Sequence, residues 1–130
     1  STPGHSSIHK SFYFPDLKIV FTGDLLINGG CGRVIDGTIE KLFYSLKKIK
    51  DLPDDTLVFG GHDYLESNLL FSQSIKPDDL FLKNRLDKCQ KNLKDALFLD
   101  LKNEKDTNIF LQCKTFKKFI KLRKMKDFFN

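Results

Sequence analysis

The chain has 130 residues and a formal net charge of +5, and 40% of its residues are hydrophobic. This composition predicts a packed globular protein with one core and excludes intrinsic disorder. No apolar run approaches the roughly 20 residues of a membrane-spanning helix. The first residues contain no signal peptide and no initiator methionine, so we expect no membrane attachment and a missing upstream segment.

The three cysteines, Cys31, Cys89 and Cys113, are an odd number without C-x-x-C spacing. This pattern argues against a disulfide framework and against a thiolate zinc site, and it is typical of a reducing compartment. We therefore expect a cytoplasmic protein, with the mitochondrion or another organelle as the alternative. Cys31 lies in a glycine-rich segment and could be a nucleophile, but no histidine lies near it in the sequence.

Charge is unevenly distributed along the chain. Residues 1–75 contain seven Lys or Arg and nine Asp or Glu, whereas residues 76–130 contain fifteen and eight. The basic half could attract phosphate, nucleic acid or a small anionic substrate. We favour a lysine-rich, solvated helix surface over nucleic-acid binding.

Two β-rich segments, residues 11–14 and 18–22, are separated by Pro15-Asp16, which predicts a hairpin. Thr38 then begins a helical pattern whose apolar residues recur every three or four positions. A short strand over residues 56–59 follows and stops at Gly60-Gly61-His62.

From Glu66 onward the pattern is helical only. We predict one helix around residues 69–71, a second from residues 77–79 to about Ala96, and a basic helix over residues 114–126. Residues 100–107 are polar and are predicted to form a loop. The strand–helix–strand order of the first half predicts a layered α/β arrangement.

Three candidate metal ligands follow glycines at turns or strand ends: His5, Asp24 and His62. Glycines allow a backbone to lie close to an ion, and imidazole and carboxylate groups suit borderline divalent metals. If the two strands are parallel, Asp24 and His62 lie on the same rim of the sheet. Each residue alone could be an ordinary turn residue. His9 could orient His5 by a hydrogen bond or could belong to the hairpin surface.

At these positions the sequence resembles the glyoxalase II (hydroxyacylglutathione hydrolase) family of the metallo-β-lactamase-fold superfamily. The resemblance extends from residue 2 to about residue 77 and is loose beyond that. It rests on these motifs, in the family's order: Thr2-Pro3-Gly4-His5, Phe21-Thr22-Gly23-Asp24, Gly30-Cys31-Gly32-Arg33, Gly37-Thr38, Leu52-Pro53, Gly61-His62-Asp63-Tyr64 and Asn68-Leu69.

The resemblance implies the carboxyl-terminal half of an αββα metal-binding sandwich in residues 1–63 and a small all-helical substrate-binding domain in residues 64–130. It further implies that His5 ligates one divalent ion, that His62 ligates a second and that Asp24 bridges both. Zinc is the expected metal, with iron or manganese as alternatives.

In such proteins a hydroxide held between the two ions attacks the thioester of S-(2-hydroxyacyl)glutathione. S-lactoylglutathione then gives glutathione and D-lactate, a step of methylglyoxal detoxification. Arg33, Tyr64 and Lys114 are expected to contact the glutathione part of the substrate.

Some features depart from the family pattern. The His-x-His-x-Asp-His motif is absent, and three ligands cannot saturate two ions. We therefore expect the chain alone to be incomplete and inactive, and to need the missing amino-terminal half. Ile8, Ile35 and Gln112 replace a glycine, a glutathione-contacting tyrosine and a glutathione-binding arginine of the family. A half-sandwich also leaves a sheet face and an edge uncovered, which predicts low stability.

Two alternatives remain at the level of sequence. A persulfide dioxygenase of the same superfamily would hold a single iron, with His5 and Asp24 among its ligands, and would consume oxygen. An inactive remnant, or a module whose basic helices bind anionic partners, would have no thioesterase activity even with the upstream segment restored.

Overall fold

The computed structural model describes residues 1–129. Asn130, the last residue of the predicted helical domain, lies outside the described residues. The strands and helices are, in chain order, β1 (Phe12–Phe14), β2 (Ile19–Gly23), β3 (Leu26–Ile27), β4 (Gly30–Cys31), α1 (Ile39–Lys50), β5 (Leu57–Gly60), α2 (Leu65–Ile75), α3 (Leu80–Lys91), α4 (Leu101–Thr107) and α5 (Phe116–Asp127).

Strands β1, β2 and β5 form a three-stranded sheet with β2 in the centre. The predicted hairpin is confirmed, because β1 pairs antiparallel with β2. Its turn is a 3-10 segment, Pro15–Leu17, that ends in a left-handed Lys18. Strands β2 and β5 are parallel, with Val20 paired to Val58. Their carboxyl ends, which precede Asp24 and His62, therefore meet at one rim.

The two faces of this sheet have different surroundings. Val20 and Val58 point into the core and are completely buried. Side chains alternate between the faces of a strand, so the other face carries six apolar residues in register: Phe12, Phe14, Ile19, Phe21, Leu57 and Phe59. On this outer face Phe12 is 60% exposed and Phe21 is 46% exposed. The uncovered sheet face expected of a half-sandwich is thus present.

Helix α1 begins where the sequence predicts, because the Thr38 side chain accepts a hydrogen bond from the Lys41 backbone N–H. One hydrophobic core extends through both parts of the chain, from Val20 and Leu42 to Leu82 and Phe119. A division into domains at residue 63 therefore stays a prediction. No helix within residues 1–129 has the length and apolar character needed to cross a membrane.

Two of the helix predictions are wrong. Residues 100–107, predicted to be a loop, form α4, whose N-cap Asp100 accepts a hydrogen bond from the Asn103 backbone N–H. The polar composition concealed a buried face that contains Glu104. Helix α3 ends at Lys91 rather than near Ala96, because Asn92 is extended and caps a following 3-10 turn.

Candidate metal centre

Asp24 and His62 are brought together by the parallel pairing of β2 with β5. Gly23 has a φ of +52° at the end of β2, a left-handed conformation that favours glycine. The Gly61 backbone N–H donates to the Gly23 carbonyl oxygen at 2.7 Å and ties the two strand ends together. A Cβ on Gly61 would lie 2.7 Å from Asp24 Oδ1, so only glycine leaves this carboxylate its place.

The Asp24 carboxylate lies between two imidazole rings. Its Oδ2 is 3.5 Å from His5 Nε2, and its Oδ1 is 3.1 Å from His62 Nε2. Two donor atoms bound at about 2.1 Å to one tetrahedral ion lie about 3.4 Å apart. Both distances therefore suit a cation held between each imidazole and one oxygen of Asp24.

The hydrogen bonds of these groups test whether the residues fit a metal. His5 Nδ1 lies 2.6 Å from the Arg33 carbonyl oxygen. A carbonyl oxygen only accepts, so Nδ1 donates and the neutral ring has its lone pair on Nε2, facing Asp24. Asp24 Oδ1 is buried and, apart from the contact with His62 Nε2 at 3.1 Å, has no partner with hydrogen-bond geometry among the described residues. The Nε2 lone pair of His5 faces the other oxygen of this carboxylate across a gap that fits a bound cation.

The metal centre is incomplete in this chain. Within residues 1–129, no group of three or more His, Cys, Asp or Glu side chains could hold a metal ion. The chain offers two half-sites that share Asp24, each with one imidazole and one carboxylate oxygen. Tetrahedral sites need more ligands than this, so an ion held here would need ligands beyond these three residues.

His9 does not orient His5 by a hydrogen bond. Its Nε2 accepts from the Asp24 backbone N–H at 3.2 Å, and its Nδ1 lies 3.0 Å from Thr2 Oγ1. Burial lowers the pKa of His9, which favours the neutral ring that this acceptor role requires. His9 therefore fixes the backbone of Asp24, and its ring packs edge-on against His5.

A cavity of about 480 Å³ opens over the metal centre. It is lined by all three predicted metal ligands and by Arg33 and Tyr64, two of the predicted glutathione contacts. The Tyr64 ring stacks on the His62 ring with a centroid separation of 5.0 Å. Ile35 also lines this cavity, at the position where the family resemblance predicts a glutathione-contacting tyrosine.

Lys114, the third predicted glutathione contact, is not brought to this cavity. It lines a separate cavity with Phe43 and Lys50. Gln112 lies apart from the metal centre as well, where its Oε1 accepts a hydrogen bond from Lys76 Nζ.

Sequence reasoning missed two basic residues of the site cavity, Arg123 and Lys126 on α5. They lie in a run of lysines whose pattern indicates a solvated surface, although their spacing of three places them on one face of the helix. Burial, and then the charge of Arg123, lowers the pKa of Lys126. A bound anion would relieve this unfavourable environment.

Arg123 also holds the glycine-rich loop in place. Its Nη1 donates to the Cys31 carbonyl oxygen at 2.7 Å and to the Gly32 carbonyl oxygen at 3.3 Å. Cys31 is buried, and burial raises the pKa of its thiol to about 11. A thiol with such a raised pKa is protonated near neutral pH, which argues against the nucleophile alternative for Cys31.

Comparison with known proteins identifies the family. Residues 1–62 match the family model of the metallo-β-lactamase superfamily, and residues 63–129 match that of the hydroxyacylglutathione hydrolase C-terminus. The chain belongs to the hydroxyacylglutathione hydrolase family. The resemblance seen in the sequence and the metallo-β-lactamase-like α/β fold are both confirmed.

Among individual relatives of this hydrolase family, the hydroxyacylglutathione hydrolase of Prochlorococcus marinus (strain MIT 9301) is 40% identical over 128 residues. That alignment covers 95% of this chain and 52% of the relative, so the chain spans about half the length of the curated relative.

Two solved structures are also similar. ETHE1 from Myxococcus xanthus is 28% identical with a TM-score of 0.64, and the match covers 95% of this chain and 42% of that one. A metallo-β-lactamase from Staphylococcus aureus is 20% identical with a TM-score of 0.60, covering 96% of this chain and 37% of that one. The second likeness shows the fold alone.

Proposed function

We propose that this chain supplies the carboxyl-terminal half of a metal-dependent hydrolase that cleaves S-(2-hydroxyacyl)glutathione. S-D-lactoylglutathione would give glutathione and D-lactate, as in methylglyoxal detoxification. The observation that carries the proposal is the Asp24 carboxylate between two imidazoles, each at a distance that suits a shared cation. Family membership supports the same reaction class.

In this proposal His5 and Asp24 hold one divalent ion, and His62 and Asp24 hold a second. Zinc suits the imidazole and carboxylate donors best, with iron or manganese as alternatives. When bound, the two ions lower the pKa of water and polarise the thioester carbonyl. The hydrogen bond of His5 to the Arg33 carbonyl oxygen keeps Nε2 aimed at Asp24, and His9 fixes the Asp24 backbone.

The glutathione part of the substrate would lie in the 480 Å³ cavity. Its two carboxylates are complementary to Arg33 and Lys126. Arg33 is exposed and free to pair with a carboxylate, whereas Arg123 is buried, is already paired with Asp127 at 2.9 Å and holds the glycine-rich loop. Tyr64, stacked on His62, would contact the peptide near the thioester.

The missing ligands would come from an amino-terminal half that covers the outer face of the sheet. That face is continuous and aromatic: Phe21 stacks on Phe59, which packs on Phe98 at 4.8 Å. Apolar patches of this kind mark interaction sites. The length of the curated relative, about twice that of this chain, leaves room for such a half.

The test is thioester hydrolysis and metal content of the complete protein that carries this chain, compared with two matched variants. Arg33→Met should raise the KM for S-D-lactoylglutathione about tenfold or more with little change in kcat, because it removes a charge-assisted hydrogen bond to the substrate. Lys114→Met removes a cation from a different cavity and should leave KM unchanged. Equal effects of the two variants would contradict the placement of the substrate.

Other outcomes would support the alternative functions. One iron per chain together with oxygen uptake on a persulfide substrate would favour a dioxygenase. Absence of both activities in the complete protein would favour an inactive remnant or an anion-binding module. We include a cytoplasmic location in the proposal, since the three cysteines are buried and unpaired. Fractionation of cells would test it.

A further inference from the structure

A buried polar network joins the helical part of the chain to the loop between β3 and β4. At its centre Arg85 Nη2 donates to Glu104 Oε1 at 2.7 Å, with 2% and 0% of the two side chains exposed. Arg85 also donates to the Ala96 carbonyl oxygen and to Thr107 Oγ1. Removing two charges from water is costly, and this cost is offset only when each charge is paired and hydrogen-bonded.

Glu104 has a second set of donors on the other side. The Gly29 backbone N–H donates to its Oε2 at 3.1 Å, and the side-chain amide of Asn108 donates to the same oxygen at 3.2 Å. The Asn28 amide approaches Oε1 at 3.4 Å. Every group around this carboxylate is a donor, so a carboxylate satisfies them all and a neutral amide does not.

Asn28 connects Glu104 with the end of β5, next to the candidate metal centre. Its side-chain amide donates to the Val58 carbonyl oxygen at 3.0 Å, and its Oδ1 accepts from the Gly60 backbone N–H at 3.1 Å. These bonds fix the end of β5, whose last residue, Gly60, lies two positions before His62. Asn28 is completely buried. The orientation of its amide is set by the acceptor Glu104 on one side and by the donor Gly60 on the other.

We propose that Glu104 is a positioning residue for the metal centre. Its carboxylate fixes Gly29 and the Asn28 amide, and through Asn28 it fixes where β5 ends and where His62 stands relative to Asp24. The inference rests on the proposed function, because it assigns Glu104 a role in holding the ligands of that centre. Groups that orient ligands in this way typically change metal affinity by about 10- to 100-fold when they are altered.

The experiment compares Glu104→Gln with two control variants in the complete protein. The glutamine side chain would turn an amide donor toward other donors, so we expect Zn²⁺ affinity to fall about tenfold or more in a chelator competition. The visible spectrum of the Co²⁺-loaded protein should shift as well. Asp106→Asn removes a carboxylate from the same helix, where it pairs with Lys102 at the surface, and should change neither quantity.

Leu82→Ala controls for simple loss of stability. Leu82 is buried on α3, the helix that carries Arg85, but it forms none of the bonds described. This variant should lower the melting temperature by several degrees, as a core cavity does, while Zn²⁺ affinity and the Co²⁺ spectrum stay unchanged. If Glu104→Gln lowers the melting temperature without changing metal affinity, or if both variants change affinity equally, the proposal is overturned.

Hydrogen exchange of the metal-free protein gives a readout that does not depend on metal binding. The Gly29 and Gly60 amides should exchange about tenfold faster, or more, in Glu104→Gln than in Leu82→Ala, because their acceptors are lost or misoriented. Unchanged exchange at Gly60 would overturn the proposal. If the original protein binds no ions, but the Gly60 amide exchanges faster in Glu104→Gln, the proposed function is refuted while the role of Glu104 in fixing the end of β5 is supported.

Discussion

Two ionic clusters of this protein differ in whether their groups are satisfied. Glu104 is surrounded by donors from Arg85, Gly29 and Asn108 and is completely buried. Asp24 lies partly open to a cavity, between two imidazoles, and its Oδ1 has no hydrogen-bond partner within residues 1–129. Removing one partner of a satisfied buried charge destabilises the fold, whereas an unsatisfied buried oxygen is the kind of group that a bound cation would satisfy.

The largest effect should follow from changing the unsatisfied cluster. Asp24→Asn removes the charge shared by both half-sites. If the proposed function is right, we expect the complete protein to bind no ions and its rate of thioester hydrolysis to fall about a thousandfold or more, equivalent to about 4 kcal/mol of transition-state stabilisation. Metal analysis and thioester hydrolysis measure this. The melting temperature of the metal-free protein should stay within a few degrees of the original, because no satisfied bond of that carboxylate is lost.

The opposite result would contradict this difference between Asp24 and Glu104. If Asp24→Asn lowered the melting temperature by many degrees while metal content stayed unchanged, Asp24 would have a purely structural role and the proposed metal centre would be wrong.

The satisfied cluster should respond in stability. Arg85→Met leaves Glu104 buried without its cation, which typically costs about 3–5 kcal/mol of unfolding free energy. Urea unfolding of the complete protein measures the change as a shift of the midpoint. The matched control is Lys102→Met, which breaks an exposed pair on α4 and should not shift the midpoint measurably. A midpoint unaffected by Arg85→Met would contradict this, because it would mean that the buried Glu104 carboxylate is stabilised without Arg85.

A smaller effect concerns Cys31, a buried group that stays neutral. Its pKa is raised by burial to about 11, from 9.0 in the unfolded chain. The folded protein therefore binds more protons than the unfolded chain between these pH values, and stability must fall as pH rises through this window. The loss is at most about 2–3 kcal/mol, at about 1.36 kcal/mol for each unit of pKa difference.

Cys31→Ser provides the reference for this effect, because a serine hydroxyl does not titrate in that range. The difference in unfolding free energy between the original protein and the variant should be constant below pH 9 and should shift in favour of the variant from pH 9 to about pH 11. A difference that does not change with pH would show that the thiol has an ordinary pKa.

Part of the candidate metal centre followed from local sequence. Glycines before Asp24 and His62, together with two apolar strands, predicted that these two side chains share a rim if the strands are parallel, and the strands are parallel. The helix at Thr38 was predictable because its cap and its apolar spacing are both local. The same reasoning failed for residues 100–107, where a polar composition concealed a helix whose Glu104 is buried against Arg85, nineteen residues away.

The glutathione contacts show the same limit. Arg33 and Tyr64 end two of the glycine-containing motifs and line the cavity over the candidate metal centre, whereas Lys114 lines a different cavity. Arg123 and Lys126 resemble their lysine neighbours in sequence. Only the packing of α5 against the glycine-rich loop distinguishes them: Arg123 bonds to the Cys31 and Gly32 carbonyl oxygens, and Lys126 lines the same cavity.

The sequence alone therefore determined which residues could bind a metal and which family the chain resembles, because strand ends, caps and glycine turns depend on neighbours a few residues apart. Tertiary structure decided which charges have hydrogen-bond partners, which basic residues face the cavity and which face of the sheet is exposed. Those properties depend on contacts between residues far apart in the chain, and the burial that sets their energies exists only once the chain has folded.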